Sequence, residues 1–498
     1  MLAKKVNMRT SELLLLCTLA FFACTLTLNG QTQIGTDIDG EADNDYSGYS
    51  VSMPDAQTVA IGAPANTGNG NYAGHVRIYT WNGTEWVQKG SDLVGEESLD
   101  YFGRSVSMPD ANTVAIGAPY NDGSADNAGH VRIYTWNDAA WVQKGTDING
   151  EYPYEHSGHS LSMPDANTVA IGAPYNGANG YSAGHVRIYN WSGSAWVQKG
   201  QDIDAEAAGD ESGWSLSMPD ANTVAIGAPH NSPTGYYGQV RIYAWNGTTW
   251  LQKGTDIDGY GIGEYCGWSV SMPDANTVAI GALDTNGNGY EAGAVRIYTW
   301  NGFAWVQKGT GIVGEAAFDH SGYAVSMPDA NTVAVGAPDN DGSGTKAGHV
   351  RIYAWNGTAW VQQGTDMNGE SADDQSGWSV SMPDSHTVAI GAPYNDGNAT
   401  DAGHVRVYTL GNVGVLENSL NTDLVLSPNP TTGSLSIQLG KSFDEVTVVV
   451  RNALGREVQY EQYSSAERLE LTLQGNPGIY LIALSSGNGK AVVKVAKK

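Results

Sequence analysis

One unit of about 55 residues is written seven times in succession along this chain. The tetrapeptide Ser-Met-Pro-Asp recurs with its methionine at Met53, Met108, Met163, Met218, Met272, Met327 and Met382. In each unit V-R-[IV]-Y follows, and W-[VL]-Q-[KQ]-G follows that, but the last element has only six copies. The seventh unit runs out of pattern at Thr409-Leu410-Gly411, and a substitute stands at the other end, where Gln31–Asp37 aligns with Trp86–Asp92. An open solenoid has no use for a displaced strand, whereas a ring is closed by one. The arrangement predicts an all-β fold, a seven-bladed β-propeller over 31–410 sealed by an N-terminal outer strand.

The second unit shows the expected strands. Arg104–Met108 alternates and ends in the turn signal Pro109-Asp110-Ala111-Asn112. Thr113–Gly117 is a second strand, His130–Trp136 a third, and the Trp141 strand a fourth, with Gly/Pro/Asn/Asp clusters between them. No helical period competes. Loops 1–2 and 3–4 then share one face of the ring and repeat almost unchanged. Loops 2–3 and 4–1 share the other face, which is variable, acidic and rich in Tyr. Function, if this domain binds anything, belongs there.

Residues 1–30 read as a secretory signal peptide, with Lys4, Lys5 and Arg9 ahead of an apolar run from Leu13 to Leu28 and cleavage near Gly30. Phe21-Phe22-Ala23 ahead of Cys24 is a poor lipobox. No other stretch is long and apolar enough to span a bilayer, so no membrane span is expected in the mature chain. Cys17 and Cys24 leave with the leader, so Cys266 has no partner for an intramolecular disulfide. It fills a slot held by Ser elsewhere and reads as a small buried residue. From 31 to 410 there are 43 Asp+Glu against 14 Lys+Arg; from 411 onward the two balance at 8 each. That acidity argues against nucleic acid or an anionic membrane as partner, and the shift marks a domain boundary near 411.

A hairpin register with Trp81 opposite Trp86 sets His75 opposite Asp92. It likewise pairs His130 with Asp147, His185 with Asp202, His349 with Asp366 and, across the ring closure, His404 with Asp37. In the fifth unit these positions are Ala294 and Gly311, lost together, and in the fourth Gln239 faces Asp256. The pairing reads as structural cross-strand ion pairs, with metal ligation the alternative. The repeated arginines, Arg77 to Arg406, read as satisfying the same buried carbonyl or Asp in every unit. Trp pairs flanking the Asn-Gly turns read as pins for the outer hairpin, with sugar stacking the alternative. Asn82-Gly83-Thr84, Asn246-Gly247-Thr248 and Asn356-Gly357-Thr358 match a glycosylation triplet and read more simply as hairpin turns.

Phe102-Gly103-Arg104-Ser105-Val106, Gly117-Ala118-Pro119 and Gly129–Tyr134 together resemble the FG-GAP repeat of integrin-type β-propellers. Many members of that family hold calcium in an Asp-rich loop between strands 1 and 2. Here that loop is only Pro-Asp-Ala-Asn-Thr, too short to wrap a cation. Candidates for possible calcium on the other face are Asp122, Asp341 and Asp396 in their Asn-Asp-Gly turns, and the run Asp37, Asp39, Glu41, Asp43, Asp45. After a linker over 411–422, the order P-N-P-x-x-G, N-x-x-G-x-x-V, G-x-Y and a basic terminus resembles the type A sorting domain of the type IX secretion system. That resemblance implies a small Ig-like β-sandwich over 423–498, the type IX machinery as partner, and a secreted or outer-surface location on a Bacteroidota-type Gram-negative cell.

The residues just after the glycine that opens each inner strand are Tyr49, Arg104, His159, Trp214, Trp268, Tyr323 and Trp378. They vary beside unvarying neighbours, are mostly aromatic, and should ring the channel mouth on the variable face. Aromatic rings near carboxylates suit a glycan or surface ligand, and packing between blades is the alternative role. The expectation is a binding or adhesion protein. A polysaccharide hydrolase or lyase and a purely structural matrix protein are the competing classes. His156, His230, His320, Glu155 and Glu264 occur once each, with no motif linking them.

Overall fold

The computed structural model describes residues 31–231 and 235–410, and most of 415–497. The expected leader over 1–30 lies outside the described residues, as do most of the expected linker and Pro428, Asn429 and Pro430 of the tail. Among the described residues every regular element is a strand. Two compact units result, 31–410 and the part from 411 onward.

Each repeat in 31–410 forms an antiparallel sheet of four strands in sequence order. In the second repeat these are Ser105–Asp110, Thr113–Ala118, His130–Trp136 and Trp141–Gln143. The second strand, Thr-Val-Ala-Ile-Gly-Ala, is buried along its whole length, which is why it does not alternate. On the inner strand Met108 is the buried anchor, while Ser105 Oγ donates to Gly158 O and Ser107 Oγ accepts the Met163 N–H of the next sheet. Asp110 Oδ1 accepts the Asn112 N–H at 2.8 Å and closes the tight turn between the two.

The core lies between neighbouring sheets. Ile133, Ile148 and Ala115 of the second repeat pack against Met163, Val169 and Ile171 of the third. Each fully buried aliphatic contributes about 1.5–3 kcal/mol relative to exposure. Polar links follow the same path: the Met108 N–H donates to Ser52 Oγ and the Met163 N–H to Ser107 Oγ, both at 2.9 Å. The circuit is complete. Met382 N–H reaches Ser326 Oγ and Met53 N–H reaches Ser381 Oγ. Seven sheets are thus joined in a closed β-propeller ring.

The last sheet takes its outer strand from the N-terminus. Thr32 and Gln33 pair with Thr409 and Tyr408, and Ile38 and Asp39 pair with Val405 and His404. Ile38 enters one core with Met53, Ile61, Ala389 and Val405, joining the first repeat to the last.

The hairpin register differs from expectation beyond the first three pairs. Trp81 does oppose Trp86 and Tyr79 opposes Gln88, but His75 opposes Val94 rather than Asp92. Two extra residues are accommodated at Gly90, whose φ of +83° turns the chain out of the ladder. The same shift sets His130 opposite Asn149, His185 opposite Asp204, His349 opposite Asn368 and His404 opposite Asp39. Gln239 likewise faces Asp258, and its amide approaches Glu206 at 3.4 Å instead of bonding Asp256.

The Trp pairs are internal fixtures. Trp141 Nε1 donates to the Lys89 carbonyl of the preceding sheet at 2.7 Å, and Lys89 Nζ sits 5.3 Å from both Trp136 and Trp141 rings. The asparagine side chains of the turns are used locally as well. Asn82 Oδ1 accepts from the Thr84 N–H and hydroxyl and from the Glu85 N–H.

In the C-terminal unit the long strand Ser434–Asn452 pairs with Val425–Ser427 and Glu457–Thr472, and in its second half with Gly478–Ser486, which pairs with Gly489–Lys497. Its alternating Leu435, Ile437, Leu439, Val446, Val448 and Val450 share one core with Ile482, Leu484, Val493 and Val495. This explains the 2-residue period of the tail.

Candidate functional site: the variable face of the propeller

Seven loops build this face in one way. Each inner strand is preceded by a glycine, such as Gly103 at φ +92°, because a Cβ there would meet the His75 carbonyl oxygen. Two residues earlier stand Tyr46, Tyr101, His156, Glu211, Tyr265, His320 and Gln375, all at φ between 51° and 56°. Their backbone is held by the neighbouring 2–3 loop; the Tyr101 N–H, for example, donates to the Tyr72 carbonyl at 3.0 Å. Tertiary bonding fixes an otherwise unfavourable conformation and presents these side chains at the mouth.

Much of the loop acidity is structural. Asp100 is buried, accepts the Glu96 and Glu97 N–H groups at 3.1 and 3.0 Å, and receives Asn121 Nδ2 at 3.1 Å. Asp45 and Glu155 do the same for their own loops. The candidate calcium carboxylates are also occupied locally: Asp122, Asp341 and Asp396 each accept one backbone N–H five residues on.

The seven expected channel residues meet side by side in a collar. Ring centroids lie 4.7 Å apart for His159–Trp214, 4.9 Å for Trp214–Trp268 and 5.7 Å for Trp268–Tyr323. Tyr323–Trp378 and Trp378–Tyr49 follow at 4.6 and 5.3 Å. Arg104 completes the circle, 4.7 Å over Tyr49, with Nη2 3.4 Å from His159 Nε2. All seven are partly buried, and their rings face one another. Burial, then the Arg104 charge, pushes the His159 imidazole well below its usual range.

Above the collar a second tier is asymmetric. One arc is aromatic, with Tyr101–Tyr120 at 5.0 Å, Tyr120–His156 at 4.5 Å and His156–Tyr175 at 4.9 Å. Here a cleft of about 850 Å³ opens, walled by Tyr120, Tyr152, Tyr154, Tyr175, Tyr181 and His156. Tyr181 is 88% exposed. The opposite arc is charged. His320 Nδ1 lies 2.7 Å from Asp339, and its Nε2 lies 3.6 Å from Asp284 and 3.8 Å from Glu291. Burial pushes Asp284 up to about 6. Burial acts on Asp339 too, but hydrogen bonds from His320 and Lys346 outweigh it and hold that carboxyl low. The sequence singles out His156 and His320 but does not bring them together with Tyr120 and Tyr175, which follow the same Gly-Ala-Pro element in successive repeats.

The repeated histidines stand at the start of the third strand in five repeats, 1–2% exposed. Nδ1 lies 3.8 Å from Asp92 for His75, 3.8 Å from Asp147 for His130, 3.4 Å from Asp202 for His185 and 3.5 Å from Asp37 for His404. His349 is grouped with Asp366 and Glu315. Of the arginines two residues on, Arg77 Nη2 donates to Asp39 O at 2.7 Å and Arg406 Nη2 to Asn368 O at 2.8 Å, carbonyls of the preceding repeat, whereas Arg132 bonds Asp147.

Residues 95–134 and 367–408 match the FG-GAP repeat, and residues 426–498 match the secretion system C-terminal sorting domain. The comparison with curated proteins gives no match. Among solved structures, the chain is similar to the β-propeller domain of the Trilobed protease from Pyrococcus furiosus at 11% identity and TM-score 0.39, covering 69% of this chain and 89% of that one. It is also similar to Chaetomium thermophilum Sqt1 at 13% and 0.42, covering 94% and 98%, and to Pyrococcus horikoshii acylaminoacyl peptidase at 11% and 0.40, covering 81% and 58%. Those likenesses carry nothing about activity. The chain is a β-propeller in which residues 95–134 and 367–408 are similar to the FG-GAP repeat, and its residues 426–498 are similar to a secretion system C-terminal sorting domain.

Proposed function

We propose that this is a secreted or cell-surface recognition protein that binds a glycan through the tyrosine-walled cleft on the variable face of its propeller. The sorting tail implies export by the type IX route and a secreted or surface location in a Bacteroidota-type bacterium. In this reading residues 1–30 serve the first membrane, 31–410 carry the binding face and 423–498 engage the secretion machinery.

One observation carries the proposal: five tyrosines and His156 converge on a cleft of about 850 Å³ that no structural pairing requires. That volume falls within the roughly 300–1,000 Å³ of ligand sites. Aromatic faces stack on the C–H faces of sugars while phenol hydroxyls reach their hydroxyls. Tyr154 OH already lies 3.3 Å from Asp126, a ready acceptor for a ligand O–H. The collar residues do not line this cleft; their rings face one another, and in this reading they are packing between blades.

The test is a glycan array with the secreted chain, followed by titration of any ligand retained. Tyr154→Ala combined with Tyr181→Ala should weaken binding at least about tenfold, some 1.4 kcal/mol, without changing the melting temperature. Unaltered affinity in that variant sinks the assignment.

The charged arc favours a second reading, a polysaccharide hydrolase. Asp284 at about 6 and Asp339 held low are two carboxyls whose protonation is driven apart. Reducing-sugar release abolished by Asp284→Asn supports it.

A further inference from the structure

The structure assigns to the rim of the propeller a set of transition-metal sites, one per repeat in five repeats, each built from the third-strand His, the Asp after the outer strand and a second carboxylate, and each suited to Zn²⁺. Five such groups occur among the described residues. Four take a loop Glu as third member (Glu41, Glu96, Glu315 and Glu370), and the fifth uses Asp204 beside His185 and Asp202. In each group the ligand-capable atoms lie within 4.8 Å of one another.

The spacings are wrong for hydrogen bonds and right for a shared ion. Nδ1–carboxylate distances of 3.4, 3.5 and 3.8 Å exceed a good N–H···O bond. With Zn–N and Zn–O bonds of about 2.0–2.2 Å, two ligand atoms of a tetrahedral site stand about 3.4 Å apart. His185 and His404 have no hydrogen-bond partner on either ring nitrogen, although both are 1% exposed. A buried polar atom left so costs about 1–3 kcal/mol, and here the cost repeats around the ring. The Asp in each group is already oriented by a Gln, as Asp92 Oδ1 is by Gln88 Nε2 at 2.7 Å with Oδ2 turned toward the imidazole; in the second repeat Arg132 Nη2 also donates to Asp147 Oδ2 at 3.2 Å. The arginine takes only one oxygen of the Glu. Arg77 Nη1 lies 3.5 Å from Glu41 Oε1, while Oε2 faces His75 at 3.9 Å.

A neutral imidazole presents a lone pair, which is the form a metal takes. One nitrogen with two oxygens suits zinc, where calcium collects six to eight oxygens. The other ring nitrogen finds a carboxylate behind it in the third repeat, where His185 Nε2 lies 4.0 Å from the buried Glu155.

The remaining repeats supply an internal contrast. The fourth has Gln239 where the others have His, and the fifth lacks all three donors, with Tyr260, Ala294 and Gly311 at the equivalent positions. In the fifth, Tyr260 lies over Arg296 at 4.2 Å and its hydroxyl bonds Gln307, the residue that elsewhere holds the Asp. An ion pair needs two partners; three are missing together. At the closure, Asp37 comes from the N-terminal strand while Glu370 and His404 come from the seventh repeat's side, so a bound ion there ties first strand to last sheet.

The experiment is zinc stoichiometry by plasma mass spectrometry after chelator treatment and dialysis of the secreted chain against micromolar Zn²⁺. About five equivalents are expected, with His404→Gln and Glu315→Gln each removing one, and with the zinc-induced rise in melting temperature reduced in Asp37→Asn. Less than one equivalent bound, or unchanged stoichiometry in folded Glu315→Gln and His404→Gln, overturns the assignment. Should His404→Gln fail to fold, Glu315→Gln at the exposed rim decides alone.

Discussion

The backbone N–H of Met53 donates to the hydroxyl of Ser381 across 2.9 Å, joining residues 328 positions apart. The same bond joins each sheet to the next, so no link is peculiar to the seam. Ser381→Ala leaves a sequestered N–H unpaired and should cost about 1–3 kcal/mol, equal within error to Ser162→Ala. Denaturant melts of both variants check this.

Removing residues 31–39 should be far more damaging. The strand His404–Thr409 then has an open edge, which invites pairing with another chain. Light scattering should show concentration-dependent association, and the melting temperature should drop.

Lys199 sits 5.3 and 5.2 Å over the Trp245 and Trp250 rings and donates to Ala221 O and Asn222 Oδ1. Lys199→Met should cost about 1–2 kcal/mol in a thermal melt. Gln363→Lys should gain nothing, because the seventh repeat has no Trp pair to receive the charge.

Stability should fall as pH drops from about 6.5 toward 4. Burial first, then Arg104, lowers His156 to about 4 and holds His159 well below its usual range. The unfolded imidazoles bind a proton near pH 6.5 while the folded ones remain neutral. The unfolded state therefore carries more protons in that window, and acid favours it. His320 runs the other way: bonded to Asp339 it is raised, so its contribution is present in acid and fades as pH climbs through its folded value. Melting temperatures at about pH 4.5 and pH 7 should differ less in His159→Phe.

Cys266 is 2% exposed and burial pushes its thiol up to about 12. It should resist thiol reagents in the folded chain and react stoichiometrically in denaturant.

The ring and its four-stranded sheets were legible because each element is written many times and one copy is displaced. The register beyond Gln88 was not, because a glycine at positive φ admits two residues that no alternation reveals. The collar could be named from sequence, since its members follow a fixed glycine. The tyrosine cleft could not: Tyr154 and Tyr181 lie on two different loops, before and after the first two strands of the third repeat, and only the fold brings them together. Loop acidity pointed toward calcium, yet Asp100 and Asp122 turn out to hold their own backbones.

A ring whose opening strand bonds to its final strand cannot finish assembling until nearly the whole 31–410 segment is available. Its slowest event is therefore a meeting between the two ends of the chain, and contacts so distant along the sequence form late. A polypeptide cut short before Ser379 lacks the Ser379–Gly48 and Met53–Ser381 links of the seam, however well its individual sheets have formed.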